Sequence, residues 1–108
     1  NWIAENPWFC DLHDVVKTEI ETHQFPSGDL PDIVFHLSSG TIVSVEIETT
    51  NPLPGAYQAL KYRTLLCAEN DFDLSSDKVE TVLVAWEIPS NIQMFCERYG
   101  IKYYEKKI

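Results

Sequence analysis

A chain of 108 residues with 44% hydrophobic side chains holds enough apolar material for one compact core, and its formal net charge of −9 argues against a stand-alone nucleic-acid binder, since that binding rests on Lys and Arg neutralising phosphates. The charge is uneven: up to Leu60, Lys17 is the single base against nine acids, whereas from Lys61 onward seven bases nearly balance eight acids. No apolar run reaches the roughly 18 residues of a membrane span, no secretory leader pattern opens the chain, and Cys10, Cys67 and Cys96 lack the paired spacing of a zinc or disulfide framework, so the expectation is a cytoplasmic protein with reduced thiols.

Asn1 to Cys10, with Trp2, Ile3, Trp8 and Phe9, reads as the tail of a helix ending near Asn6-Pro7, because the residue before proline disfavours the helical region. Asn1 is no natural start, so residues 1–108 read as a single domain belonging to a longer chain. From Val15 to His23 the pattern alternates, with Val16, Thr18, Ile20 and Thr22 on one side and Lys17, Glu19, Glu21 and His23 on the other, which predicts a half-exposed strand. Phe25 to Asp29 is turn chemistry. Leu30 to Phe35 and Thr41 to Thr49 predict two more strands joined at Ser38-Ser39-Gly40, completing a three-stranded meander. Asn51 to Gly55 breaks the pattern, and Ala56 to Glu69 predicts a helix rich in Ala, Leu, Gln, Lys and Tyr. After an acidic loop from Asn70 to Asp77, Val79 to Trp86 has the continuous apolar centre of a strand covered on both faces. Ser90 with Gln93 suggests a capping box, Ile92, Phe95, Cys96 and Tyr99 form an apolar stripe, and Gly100 supplies a stop. Ile101 to Tyr104 predicts a short last strand, and Lys106 and Lys107 a solvated tail. The path from the third strand through the helix to Val79 is a crossover, so the sheet is expected to be mixed.

The carboxylates of the third strand carry the functional signal. Successive strand residues alternate faces, which aims Glu46 and Glu48 one way and Val43, Val45 and Ile47 the other. Asp32 opens the adjacent strand, and Glu19 or Glu21 approaches from the next. Two unit charges ~4 Å apart repel by about 4 kcal/mol at an effective dielectric near 20. A hard divalent cation, Mg²⁺ or Mn²⁺, relieves that repulsion with oxygen ligands. A plain solvated acidic face is the competing reading, and alternation alone does not separate the two.

Pro31-Asp32, then Glu46-Ile47-Glu48, then Gln58 and Tyr62 on the following helix, resembles the PD-(D/E)xK nuclease superfamily, and the QxxxY spacing is similar to its RecB-like branch. The likeness runs from about residue 2 to residue 86. It implies an α/β, restriction-endonuclease-like αβββαβ core with a mixed central sheet flanked by helices. It further implies a metal-dependent nuclease that hydrolyses phosphodiester bonds in DNA. By this resemblance Asp32 and Glu46 would be metal ligands with the Ile47 carbonyl as a further one, while Gln58 and Tyr62, on one helix face, would line the site or contact substrate; the reading of the acids themselves adds Glu48 to the metal ligands. One position departs: the family usually carries Lys where this chain has Glu48, and that Lys helps activate the attacking water and steadies the phosphate charge. Glu48 supplies no positive charge, though it can accept a proton or bind metal, and a displaced Lys17 or Lys61 is the candidate replacement, Lys61 lying one turn from Gln58. The expected catalytic set is Asp32, Glu46, Glu48 and Lys61. The expected partner is DNA, with another domain, a subunit or a second copy in a homodimer supplying positive charge; no membrane partner is expected.

Other features read plainly. His36 shares parity with Asp32 and is expected to be a hydrogen-bonded bystander. Asp71, Asp73, Ser75 and Asp77 imitate half of a calcium loop, but Ser76 and Val82 stand where Gly and Glu are needed. Trp2, Trp8, Trp86 and Tyr57 are expected to be packing residues, and no nucleophile signature surrounds any Ser or Cys. Besides the nuclease, two rival readings stand: a catalytically inactive nuclease-fold binding or regulatory module, and a plain structural domain.

Overall fold

The computed structural model describes residues 1–107 and is built on five strands that lie side by side in chain order: β1 (Val15–Ile20), β2 (Ile33–Leu37), β3 (Ile42–Glu48), β4 (Val79–Ala85) and β5 (Lys102–Glu105). β1, β2 and β3 pair antiparallel, β2 and β3 joined by the tight turn at Ser38-Ser39-Gly40, with Gly40 at φ +92°. β3, β4 and β5 pair parallel, each connection passing through a helix, α2 (Leu53–Glu69) and then α3 (Ser90–Arg98). The expected mixed sheet is therefore what forms.

The period of two in the strands sorts the side chains into two layers. Ile33, Phe35, Val43, Val45, Val82 and Val84 form one core with Ile3, Cys10 and Leu12, so the N-terminal segment, α1 (Trp2–Glu5) and a 3₁₀ turn (Pro7–Cys10), covers that face. On the opposite face Val34 and Ile42 pack under Tyr62, Leu66 and Cys67 of α2, and Leu83 and Ala85 pack with Ala56, Ala59, Ile92 and Cys96. Glu46 and Glu48 belong to this second face, beneath α2. Among the described residues, no helix is long and apolar enough to cross a membrane, and all three cysteines are free and buried.

Several expectations are corrected. α2 begins at Leu53 rather than Ala56, because Pro52 and Pro54 sit in a first turn whose N–H groups need no helical partner. β1 ends at Ile20, where Glu21 turns into the left-handed region at φ +50°, so Thr22 and His23 are not strand residues. Its apolar side is not covered either: Val16 is 67% exposed beside a bulge between Val15 and Lys17. The capping box does not form; Gln93 Nε2 donates instead to the Ile88 carbonyl at 2.8 Å. Trp8, Trp86 and Tyr57 are about half exposed, and Trp2 is 39% exposed, so none is a buried packing residue. Lys106 is not simply solvated, since its ammonium stacks 4.0 Å from the centre of the Trp2 ring.

Candidate functional site

Asp32 and Glu46 meet where the β2–β3 ladder runs out. Ile33 and Val45 are the last paired residues at that end, and beyond them side chains take over the backbone's hydrogen bonds. The Asp32 N–H donates to Glu46 Oε2 at 3.0 Å, and the Ile47 N–H donates to Asp32 Oδ2 at 2.8 Å. The two carboxylates are thereby fixed by each other's strands, and the other oxygen of each lies outside these bonds. Pro31 aids this geometry by holding the entry to β2 extended, with Asp32 immediately before the strand.

The electrostatics of the pocket are one-sided. Glu46 is only 5% exposed. Burial pushes its carboxyl up to about 8; the Asp32 N–H works against this, and the charges of Asp32 and Glu48 add to it. Asp32 is raised by burial, opposed by the Ile47 N–H and reinforced by Glu21. Glu48 is raised by burial and by Asp32. Among the described residues, no Lys or Arg forms an ion pair with any of the three. Tyr62, buried and stacked on Phe25, is pushed up to about 12 by burial and by the charges of Glu46, Asp29 and Asp32, so it stays a neutral hydroxyl beside the acids. One turn away on the same helix face, Gln58 carries a buried Oε1 with no hydrogen-bond partner.

Glu48 lies against the first turn of α2. A Cβ placed on Gly55 would come within 2.5 Å of Glu48 Cγ and 2.8 Å of Leu83 Cδ1, so only glycine lets the acid sit there. The acids do not crowd into a three-oxygen cage: among the described residues, the group that brings one ligand atom each within 4.8 Å is Glu19, His23 and His36. Asp32, Glu46 and the adjoining Ile47 carbonyl are what remain at the acid pocket, with Glu48 as neighbour. Lys61 pairs with the Asp29 carboxylate at 2.9 Å, and Lys17 is exposed on β1. The donor set here is all oxygen, its charge is uncompensated, and Gln58 Oε1 lacks a partner; these features fit a hard divalent cation such as Mg²⁺ or Mn²⁺.

The cluster of Glu19, His23 and His36 was not foreseen beyond the parity of His36. Its geometry depends on the turn after Ile20, which folds His23 back over β1, and on Glu69 arriving from the far end of α2. His36 is hydrogen-bonded, as expected, and its partner Glu19 is held in this cluster rather than at the Asp32–Glu46 pocket.

The topology and layering, a mixed five-stranded sheet with helices on its faces, define a restriction-endonuclease-like α/β fold. Solved structures bear this out. A repair endonuclease from Pyrococcus abyssi superposes with a TM-score of 0.77 over 99% of this chain and 44% of that one, at 21% identity. A complex of EndoMS with double-stranded DNA gives 0.73 over 98% and 41%, at 23% identity. The small subunit of a heterodimeric restriction endonuclease gives 0.54 over 97% and 62%, at 10% identity. The chain thus spans less than half the length of the two repair endonucleases. No family model and no curated protein matches the sequence.

Proposed function

We propose that this chain is a metal-dependent nuclease domain acting on phosphodiester bonds of DNA, with Asp32 and Glu46 as the central metal ligands. The observation that carries the reading is the buried Glu46, locked to the Asp32 peptide and lacking any described cationic partner. A bound Mg²⁺ or Mn²⁺ supplies charge neutralisation, polarisation of the phosphate and acidification of a water. Asp32, Glu46 and the Ile47 carbonyl hold the ion. Glu48 stands where the resemblance leads one to expect Lys and serves as a proton acceptor or additional ligand. Gln58 and Tyr62 line the pocket from α2, with a buried amide oxygen and a neutral hydroxyl beside the acids.

DNA as substrate is supported by the repair endonucleases that share the fold, one of them solved with double-stranded DNA. The chain's two arginines, Arg63 and Arg98, line one groove of about 450 Å³ and form no ion pair among the described residues, which gives a local patch for backbone phosphates. At a net charge of −9 the remaining positive charge comes from another domain, a subunit or a second copy. The three free, buried thiols fit a reducing, cytoplasmic setting.

A second reading is favoured by one specific feature. With Glu48 in the Lys position and Lys61 engaged by Asp29, the pocket holds no described cation to steady a leaving phosphate, as in a nuclease-fold binding or regulatory module that no longer cleaves. Incubation of single- and double-stranded DNA with the chain and Mn²⁺ separates the two. Cleavage that disappears in Glu46→Ala supports the enzyme. Intact DNA under conditions where Mn²⁺ binding is demonstrated supports the module.

A further inference from the structure

On the same sheet face as the acid pocket, but at the β1 edge, lies a second constellation that the nuclease reading does not use. Glu19 Oε1 sits 3.0 Å from His23 Nδ1 and 2.5 Å from His36 Nε2. The other ring nitrogen of His23, Nε2, lies 2.7 Å from Glu69 Oε1. Three chain segments converge here: β1 gives Glu19, the turn after it gives His23, and β2 gives His36. One ligand atom from each of the three falls within 4.8 Å of the others. Their side chains are 16–26% exposed, so the group is held in place yet open on one side.

Two imidazoles and one carboxylate are a mixed nitrogen–oxygen donor set, which favours a borderline ion such as Zn²⁺ over Mg²⁺. Glu69 completes the arrangement from behind. A carboxylate bonded to the second nitrogen of a ligating histidine fixes its tautomer and ring orientation and strengthens it as a ligand. Along β2, His36 is four residues from Asp32, about 13 Å at the rise of a strand, so the group is separate from the acid pocket.

We propose that Glu19, His23 and His36 form a Zn²⁺ site, with Glu69 as the orienting carboxylate and one coordination position facing solvent. The site is independent of the acid pocket and stands whether or not that pocket cleaves DNA.

Zn²⁺ calorimetry and Co²⁺ absorption spectroscopy on the whole chain test the proposal, with folding checked by circular dichroism. Expected, in an Asp32→Asn chain whose acid pocket is disabled, are one Zn²⁺ per chain with micromolar or tighter affinity, and a Co²⁺ spectrum of low coordination number. On that Asp32→Asn background, His36→Ala lowers affinity by about 100-fold or more and Glu69→Gln by roughly 10-fold. His23→Gln provides a second ligand variant should His36→Ala not fold. The absence of Zn²⁺ binding by the wild type overturns the proposal, as expected of a network that only shares protons. So does binding that survives in both histidine variants on the Asp32→Asn background, or that is lost in Asp32→Asn alone.

Discussion

Glu46 concentrates the physics of the acid pocket in one side chain. A carboxyl whose folded value is raised from 4.5 to about 8 binds its proton more tightly in the native state than in the unfolded chain. Between those values the native state holds more protons, so stability is greatest below 4.5 and falls as pH rises towards 8. The shift corresponds to a loss on the order of 5 kcal/mol across that window. In the metal-free chain, urea unfolding from pH 4.5 to pH 8 is expected to show this decline, and Glu46→Gln to flatten it while retaining an acceptor for the Asp32 N–H. An unchanged slope in that variant would mean that the burial of Glu46 is relieved in solution. Gly55 makes a second residue-scale test. Gly55→Ala forces Glu48 and Leu83 aside, and thermal melts should show a loss of about 1–3 kcal/mol, together with weaker Mn²⁺ binding.

Among the elements, β1 shows how far a pattern can be trusted. Its alternation is genuine, yet the strand sits at the sheet edge with a bulge, and the face carrying Val16 meets solvent. Val16→Thr is therefore expected to change stability by less than about 0.5 kcal/mol in denaturant titration; a larger loss would mean that this face is covered. Where an element is central, pattern and structure coincide. The apolar run of β4 forms the strand between β3 and β5, and the alternation of β3 places Glu46 and Glu48 beneath α2, as read from sequence. The start of α2 was illegible because a Pro-Leu-Pro-Gly run reads as a breaker, although a helix's first turn accommodates it. The Ser90 cap failed because α3 begins one residue early: Pro89 holds the cap position, Ser90 is the first helical residue, and Gln93 reaches back to the Ile88 carbonyl.

At the scale of the whole molecule, what brings the acids together is the register of β2 against β3, and that register follows from a short turn and two alternating strands; the pair Asp32 and Glu46 was legible for this reason. Their hydrogen bonds to each other's backbone were not, because they arise only where the ladder ends. The histidine cluster was hidden for a longer-range reason: Glu69 lies 46 residues from His23 and reaches it only through the path of α2 across the sheet. With a net charge of −9 and an acid pocket free of described cationic partners, the nuclease proposed above stands or falls on whether that pocket takes up a divalent ion. The most direct test is Mn²⁺ calorimetry at neutral pH on a His36→Ala background, which silences the second site. One binding event of micromolar affinity, abolished by adding Asp32→Ala, is the expected result; no heat of binding before that substitution, or the same heat after it, would contradict it.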